Sequence, residues 1–367
     1  MSDLQLLESV ANGEARLSVD DAVRIFKEVD LSDLAQAADT MRRRINGDSF
    51  VTYLVDRNIN YTNVCITDCK FCEFYRPPGH KESYVISTEL LYQKVQETID
   101  LGGTRILLQG GHHPELRIDY YTDMLRGLKA KFPQVELNAF SPPEIAHVAE
   151  LEGMTFREVL AKLKEAGMDG LPGGGGEILD DEIRKKVSPK KLMSKDWLSC
   201  MSDAHSLGML TSASQVIGFG EEPRHRVNAL AGIRETQDHS MAQYGLGFLS
   251  FVMWPLQFES RFGAVFGGLK GIKLGAEREE YLRHTALSRL FLDNVPHVGA
   301  SWPTMGPIVA AEALSYGADD FGSTMIEENV VSSAGSTNDC MTEEEIRTHI
   351  GSAGYTPQKR DSSYQAI

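Results

Sequence analysis

The segment NYTNVCITDCKFCEFYR (60–76) sets Cys65, Cys69 and Cys72 in a C-x3-C-x2-C pattern directly after NINYTNV (58–64), which reads as a strand. Three thiols in eight residues at a strand end point to chemistry. A closed zinc site needs a fourth Cys or His, commonly from a second pair. Only His80 and a few acids lie within local range, and none has that spacing. Three thiolates are what an iron–sulfur cluster uses when one iron stays open for another ligand. Three buried small hydrophobes are the bland alternative. Cys200 and Cys340, far along the chain at helical and loop positions, read as inert thiols.

Outward from this segment the chain alternates short apolar runs with amphipathic stretches. Strand candidates after 58–64 are TRILLQGG (104–111), VELNAFS (135–141), MDGLPGGG (168–175), LTSASQVIGF (210–219), GFLSFVMWPL (247–256), HVGASW (297–302) and DFGSTMI (320–326). STELLYQKVQETIDLGG and TFREVLAKLKEAG lie between strands and close on Gly102 and Gly167, where a left-handed cap favours glycine. Apolar strands joined through helices imply parallel pairing with right-handed crossovers. Eight such units in about 280 residues fit an α/β fold of the (β/α)8, TIM-type barrel class better than an open doubly wound sheet. Residues 1–48 read as an N-terminal helical extension, with Ser18 capping a helix that carries Val23, Phe26 and Val29, and with a stop at Asn46-Gly47. The barrel is expected over 49–335, and a C-terminal helix and tail over 336–367.

Composition sets bounds on function. Of 367 residues, 42% are hydrophobic and 24% charged, enough for a substantial core. Lys plus Arg is 37 against 52 for Asp plus Glu, a net charge of −15, which argues against nucleic acid or an anionic membrane as partner. No apolar run approaches the roughly 18 residues of a membrane span. The polar N-terminus lacks a signal-peptide layout, so a cytoplasmic enzyme is expected.

The cysteine pattern, with Phe71 as the aromatic before the third cysteine, resembles the radical S-adenosylmethionine (radical SAM) superfamily. That resemblance implies a radical SAM barrel whose three cysteines hold a 4Fe-4S cluster. S-adenosylmethionine would chelate the open iron and, after one-electron reduction by a flavodoxin- or ferredoxin-type donor, yield a 5′-deoxyadenosyl radical. Inside the superfamily, the blocks NINYTNVC, CKFCEFYR, ILLQGG-x-HPEL, FSPPEI, LKEAGMDGLPGGGGEIL, SPKK and DFGST-x-IEENVVSSAG resemble the futalosine-route enzymes of menaquinone biosynthesis and their deazaflavin-synthase cousins. FYR, LLQGG and SPPEI look most like the cyclising branch. The implied reaction takes a hydrogen from ribose C4′ of a nucleoside-like substrate and joins that carbon to a benzoate ring. The ring then loses an electron and, to a protein base, a proton, which restores its aromaticity. A paralogue of the aminofutalosine-synthase or deazaflavin-synthase kind, acting on a related ribosyl or aryl substrate, is the main alternative, and a non-enzymatic metal-binding module the distant one.

The resemblance and the residues together nominate the site. Gly110 and Gly111 end the second strand, where backbone approaches S-adenosylmethionine; a turn needing positive φ is the structural alternative. Phe71, Ser141, Glu177 and Arg184 are further cofactor-side candidates, with Glu177 read as starting a helix after four glycines. That glycine run lacks the P-loop and dinucleotide endings. Arg76, His113, Trp254, Ser301 and Thr304 are assigned to substrate, His113 in preference to His112 because His113-Pro114 matches the family pattern. Glu144, Glu327 and Glu328 are the base candidates. Against a net charge of −15, a carboxylate-bearing ligand needs local positive charge, and Arg76 and Arg184 are the nominees. Glu73, Pro303 and Met305, with SQVIGFGEEPRHR and RFGAVFGGLKGIK, depart from the family pattern in loops that would touch substrate.

Overall fold

The computed structural model describes residues 2–257, 274–338 and 340–367. The stretch RFGAVFGGLKGIK (261–273), noted above, lies outside the described residues. Three helices come first: α1 (Asp3–Ala11), α2 (Val19–Glu28) and α3 (Leu31–Asn46). Ser18 caps α2 as expected, accepting from the Asp21 N–H while the Asp21 side chain reaches back to the Ser18 N–H. The chain leaves α3 at Gly47 with φ of 82°, the left-handed stop the Asn-Gly pair implies. All three helices lean on the later helix Arg278–Phe291, burying Leu6, Val10, Ile25, Leu34 and Met41.

Among the described residues ten strands follow: β1 (Phe50–Leu54), β2 (Asp56–Asn60), β3 (Arg105–Gln109), β4 (Glu136–Ala139), β5 (Gly170–Leu171), β6 (Leu210–Ile217), β7 (Phe248–Pro255), β8 (His297–Gly299), β9 (Asp320–Ser323) and β10 (Thr356–Lys359). They form one sheet in the order β10-β1-β9-β8-β7-β6-β5-β4-β3-β2, with every pair parallel. β1 and β2 are halves of one extended run. Thr324 and Ile326 donate to its carbonyls at Leu54 and Asp56, and Thr104 donates to Val55 from the other side. That run therefore joins β9 to β3 and closes a ring of eight, counting β1 and β2 as one and leaving out β10.

Two strands went unread in the sequence. FVTYLVDRNIN is interrupted by Asp56-Arg57, a charged pair that looks foreign to a buried strand. Both are compensated in the fold: Asp56 by Arg105, Arg57 by Glu97 and Glu327. β10, with Pro357 inside it, sits at the sheet edge, where a missing N–H is tolerated. What reads as a plain tail thus returns to pair with β1.

Between strands run α4 (Thr88–Asp100), α5 (Ile118–Lys131), α6 (Pro142–Glu152), α7 (Phe156–Glu165) and α8 (Asp181–Val187), among others. Gly102 and Gly167 have φ of 79° and 112°, the left-handed backbone expected beyond α4 and α7. A barrel of this kind is ordinarily filled by bulky inward side chains. Here the lining includes Asn58, Asn138, Ser212, Ser250, Gly299 and Gly322, which are small or polar and leave a hollow.

Candidate active site: a cavity along the barrel axis

The hollow measures about 490 Å³, within the range of small-molecule sites. Cys65, Cys69, Cys72 and His112 bound it at the C-terminal ends of the strands, where barrels carry their reactive groups. Arg105, Arg360 and Tyr364 bound it at the opposite end.

The cysteine loop is held by backbone bonds. Cys65 N–H donates to Arg76 O, Arg76 N–H to Asn63 O, Ile66 N–H to His112 O and Lys70 N–H to Val187 O. The Arg76 guanidinium also closes the loop. Its Nη1 donates to the carbonyls of Glu73 (2.9 Å), Phe74 (3.4 Å) and Tyr75 (3.0 Å), and its Nε to Glu82. Burial pushes the Cys69 thiol up to about 12, against the pull of Lys191, and raises Cys72 too. A metal ion bound there would favour the thiolates against that burial. Among the described residues, no three His, Cys, Asp or Glu side chains converge on one point as a lone metal ion requires. Three thiols at one end of a cavity are the donor set of an iron–sulfur cluster that keeps one iron open for another ligand.

Glu144, in the first turn of α6, gathers the neighbouring strand ends. Its Oε1 accepts from Tyr61 Oη (2.6 Å) and Gly110 N–H (2.9 Å), and its Oε2 from Ser141 Oγ (2.6 Å). Burial raises its carboxyl to about 7 against those three donors. Neither Gly110 nor Gly111 has positive φ. A Cβ on Gly110 would meet the Tyr61 ring at 2.6 Å and one on Gly111 the Val64 carbonyl at 2.2 Å, so close packing of the cysteine loop onto β3 requires both glycines.

The four-glycine run is also packed closely. A Cβ on Gly173 would lie 2.5 Å from Ser212 O, and Gly175 has φ of 70°. No helix starts at Glu177; its φ is 35°, and α8 begins at Asp181 behind the cap of Asp180. Glu177 instead turns inward, 5% exposed, between Lys191 Nζ (2.5 Å) and Arg184 Nη1 (3.3 Å). Burial opposes the Lys191 charge, but Glu177 and Cys69 hold the ammonium above its usual range. Lys191 lies over the Phe71 ring at 5.7 Å.

The structure brings Phe71, Gly110, Gly111, Ser141, Glu144 and Glu177 to the cysteine end of the cavity. Trp254, Ser301, Thr304 and Glu328 lie along its wall. Ser301 Oγ and Thr304 Oγ1 are 2.7 Å apart. Glu328 accepts from Asn58 Nδ2 and from Val330 and Val331 N–H. Four nominees are not brought there. Arg76 clamps its own loop. Arg184, fully buried, donates to the carbonyls of Gly175, Gly176, Ile178 and Leu192. Glu327 is tied to Arg57, Lys94 and Asn329 outside the cavity. His113 faces away, its Nδ1 accepting from Glu115 N–H.

Its neighbour His112 lines the cavity, with Nδ1 2.7 Å from Thr67 Oγ1 and its ring stacked on His147. Burial, helped by Lys191 and His147, lowers it to about 3. Among the described residues, the cations facing the cavity are Lys191, Arg105 and Arg360. The first lies in the SPKK block quoted above, but no local pattern marks any of them. Among the described residues no helix is long and apolar enough to cross a membrane.

A closed parallel barrel with three thiols at the C-terminal mouth of its cavity defines a radical-generating enzyme class, and the chain belongs to the radical SAM superfamily. The superfamily's sequence signature matches residues 59–231, and that of the CofH/MqnC C-terminal region matches residues 245–367. The chain is 44% identical to a cyclic dehypoxanthine futalosine synthase of Halalkalibacterium halodurans, over 99% of this chain and 94% of that one. It is 37% identical to the synthase of the same name from Streptomyces coelicolor, over 100% and 89%. It is 36% identical to a 5-amino-6-(D-ribitylamino)uracil–L-tyrosine 4-hydroxyphenyl transferase of Archaeoglobus fulgidus, over 90% and 92%. In fold it is similar to the FeFe-hydrogenase maturase HydG from Carboxydothermus hydrogenoformans, with a TM-score of 0.73 at 18% identity over 99% of this chain and 80% of that one. The family implies a 4Fe-4S cluster and S-adenosylmethionine.

Proposed function

We propose that this enzyme cyclises dehypoxanthine futalosine, joining ribose C4′ to the benzoate ring. The observation that carries this reading is end-to-end likeness, at 44% identity, to a synthase named for the cyclic product. Cys65, Cys69 and Cys72 would hold the cluster, with Phe71, Gly110, Gly111, Ser141 and Glu177 around S-adenosylmethionine. When bound, the two supply a 5′-deoxyadenosyl radical, with the electron coming from a flavodoxin- or ferredoxin-type donor.

The chain's own residues then position and protect. Asn58, Asn138, Ser212 and Ser250 offer hydrogen bonds suited to ribose hydroxyls, and Trp254 offers a flat face to an aryl ring. Holding the ribose hydrogen and the aryl carbon in register lowers the barrier to each step. Enclosure by the barrel keeps out water and stray hydrogen donors. Glu144 is assigned as base, because a carboxyl titrating near 7 can accept the ring proton at neutral pH.

Anaerobic turnover of reduced, reconstituted enzyme with dehypoxanthine futalosine should give 5′-deoxyadenosine and a product lighter by two hydrogens in the mass spectrum. Neither product appearing would end this reading. The 36% identity to the hydroxyphenyl transferase favours a second one. Consumption of L-tyrosine with 5-amino-6-(D-ribitylamino)uracil in the same assay would establish it.

A further inference from the structure

We propose that Arg105, at the floor of the cavity, anchors the carboxylate of the aryl substrate and so fixes which end of the molecule points toward the cysteines. This rests on the cyclase reading, which gives the substrate a benzoate. Among the described residues three cations line the cavity, and they differ in what engages them. Arg360 has all its nitrogens occupied: Nε and Nη2 donate to Asp320, and Nη1 to Asp361 O. Lys191 stands at the cysteine end, bound to Glu177. Arg105 donates through Nε and Nη2 to one oxygen of Asp56, Oδ2, and among the described residues its Nη1 has no hydrogen-bond partner.

Arg105 opens β3, five residues before Gly110, which places it about 16 Å below the mouth by the rise of a strand. Lys191 is thus left for a ligand bound among the cysteines, and Arg105 for whatever reaches the floor. Asp56 holds the guanidinium from behind with its second oxygen buried and unpartnered. Asn58 Oδ1, two residues along β2, is buried without a partner as well. Both of those oxygens are acceptors and Asp56 does not line the cavity, so the open donor at the floor is Arg105 Nη1. The returning C-terminal tail completes the enclosure. Ser362 Oγ accepts from Asn138 Nδ2, and the Tyr364 ring stacks on His297 at 3.7 Å. In a protein of net charge −15, an enclosed guanidinium is what lets a carboxylate enter.

The test is equilibrium binding to the holoenzyme with S-adenosylmethionine and without reductant, so that ligand is bound but not consumed. Calorimetry compares dehypoxanthine futalosine with its carboxamide. Wild type is expected to prefer the acid by about 10- to 100-fold, the usual value of a charge-assisted bond. In Arg105→Gln the two ligands should bind alike. Asp56→Asn/Arg105→Gln removes both charges together, so that no buried carboxylate is left alone, and should also lose the preference. A preference that survives in the folded double variant, or that wild type never shows, overturns the proposal. Failure of the cyclase reading looks different: wild type then makes no cyclic product from the acid in the turnover assay.

Discussion

Tyr61 Oη donates to Glu144 Oε1 at 2.6 Å, tying the chain beyond β2 to the first turn of α6 through a carboxyl that also accepts from Gly110 and Ser141. One acid thus links three neighbouring strand exits. Its buried carboxyl titrates near 7 rather than 4.5, so the folded state keeps a proton that the unfolded chain releases. Stability from this group is therefore full below pH 4.5 and falls as pH rises to 7, by about 3 kcal/mol. Glu144→Gln does not titrate. Urea unfolding of both proteins across pH 4.5–8 should show wild type losing that amount relative to the variant; a difference flat with pH would contradict it.

Single serine substitutions at Cys65, Cys69 or Cys72 are expected to abolish cluster assembly and S-adenosylmethionine cleavage. Cys200→Ser and Cys340→Ser should leave both intact, since Cys200 is buried in the apolar core and Cys340 is exposed. Iron and sulfide per chain, with 5′-deoxyadenosine yield, make the comparison.

Gly111→Ala should cost stability at the upper end of overpacking, about 3 kcal/mol. The new Cβ would sit 2.2 Å from a backbone oxygen that cannot swing aside. Gly110→Ala meets only the Tyr61 ring, which has some freedom, and should cost less. Thermal unfolding of the two variants ranks them.

Arg76→Met removes the donors that fold the cysteine loop onto itself. We expect faster loss of iron to a chelator, with substrate KM little changed, because the side chain does not line the cavity. A large rise in KM with normal iron retention would instead place Arg76 on the substrate.

His112→Ala is expected to lower activity at least tenfold through loss of the Thr67 contact beside Cys65, about 1.4 kcal/mol or more. His113→Ala should have little effect. With His112 neutral down to about pH 3, no limb of the pH–rate profile between 5 and 8 should belong to it.

The sequence by itself determined the cysteine spacing, the alternation of strands and helices, and their local punctuation at Ser18, Gly47, Gly102 and Gly167. These are short-range matters: a cap, a left-handed residue or a ligand spacing is complete within a few positions. Only the tertiary structure decided which charges meet. Asp56 and Arg57 sit in a strand because Arg105 and Glu327 neutralise them from 49 and 270 residues away. For the same reason Arg76 and Arg184, plausible anion binders in the sequence, are occupied by backbone carbonyls, while Lys191 and Arg105 face the cavity. His112 rather than His113 lines the cavity, because Thr67 and His147 hold its ring there while His113 bonds back to the Glu115 N–H. Burial and ion pairing depend on residues that sequence order does not place together, and the fold alone brings the C-terminal tail back to close the floor.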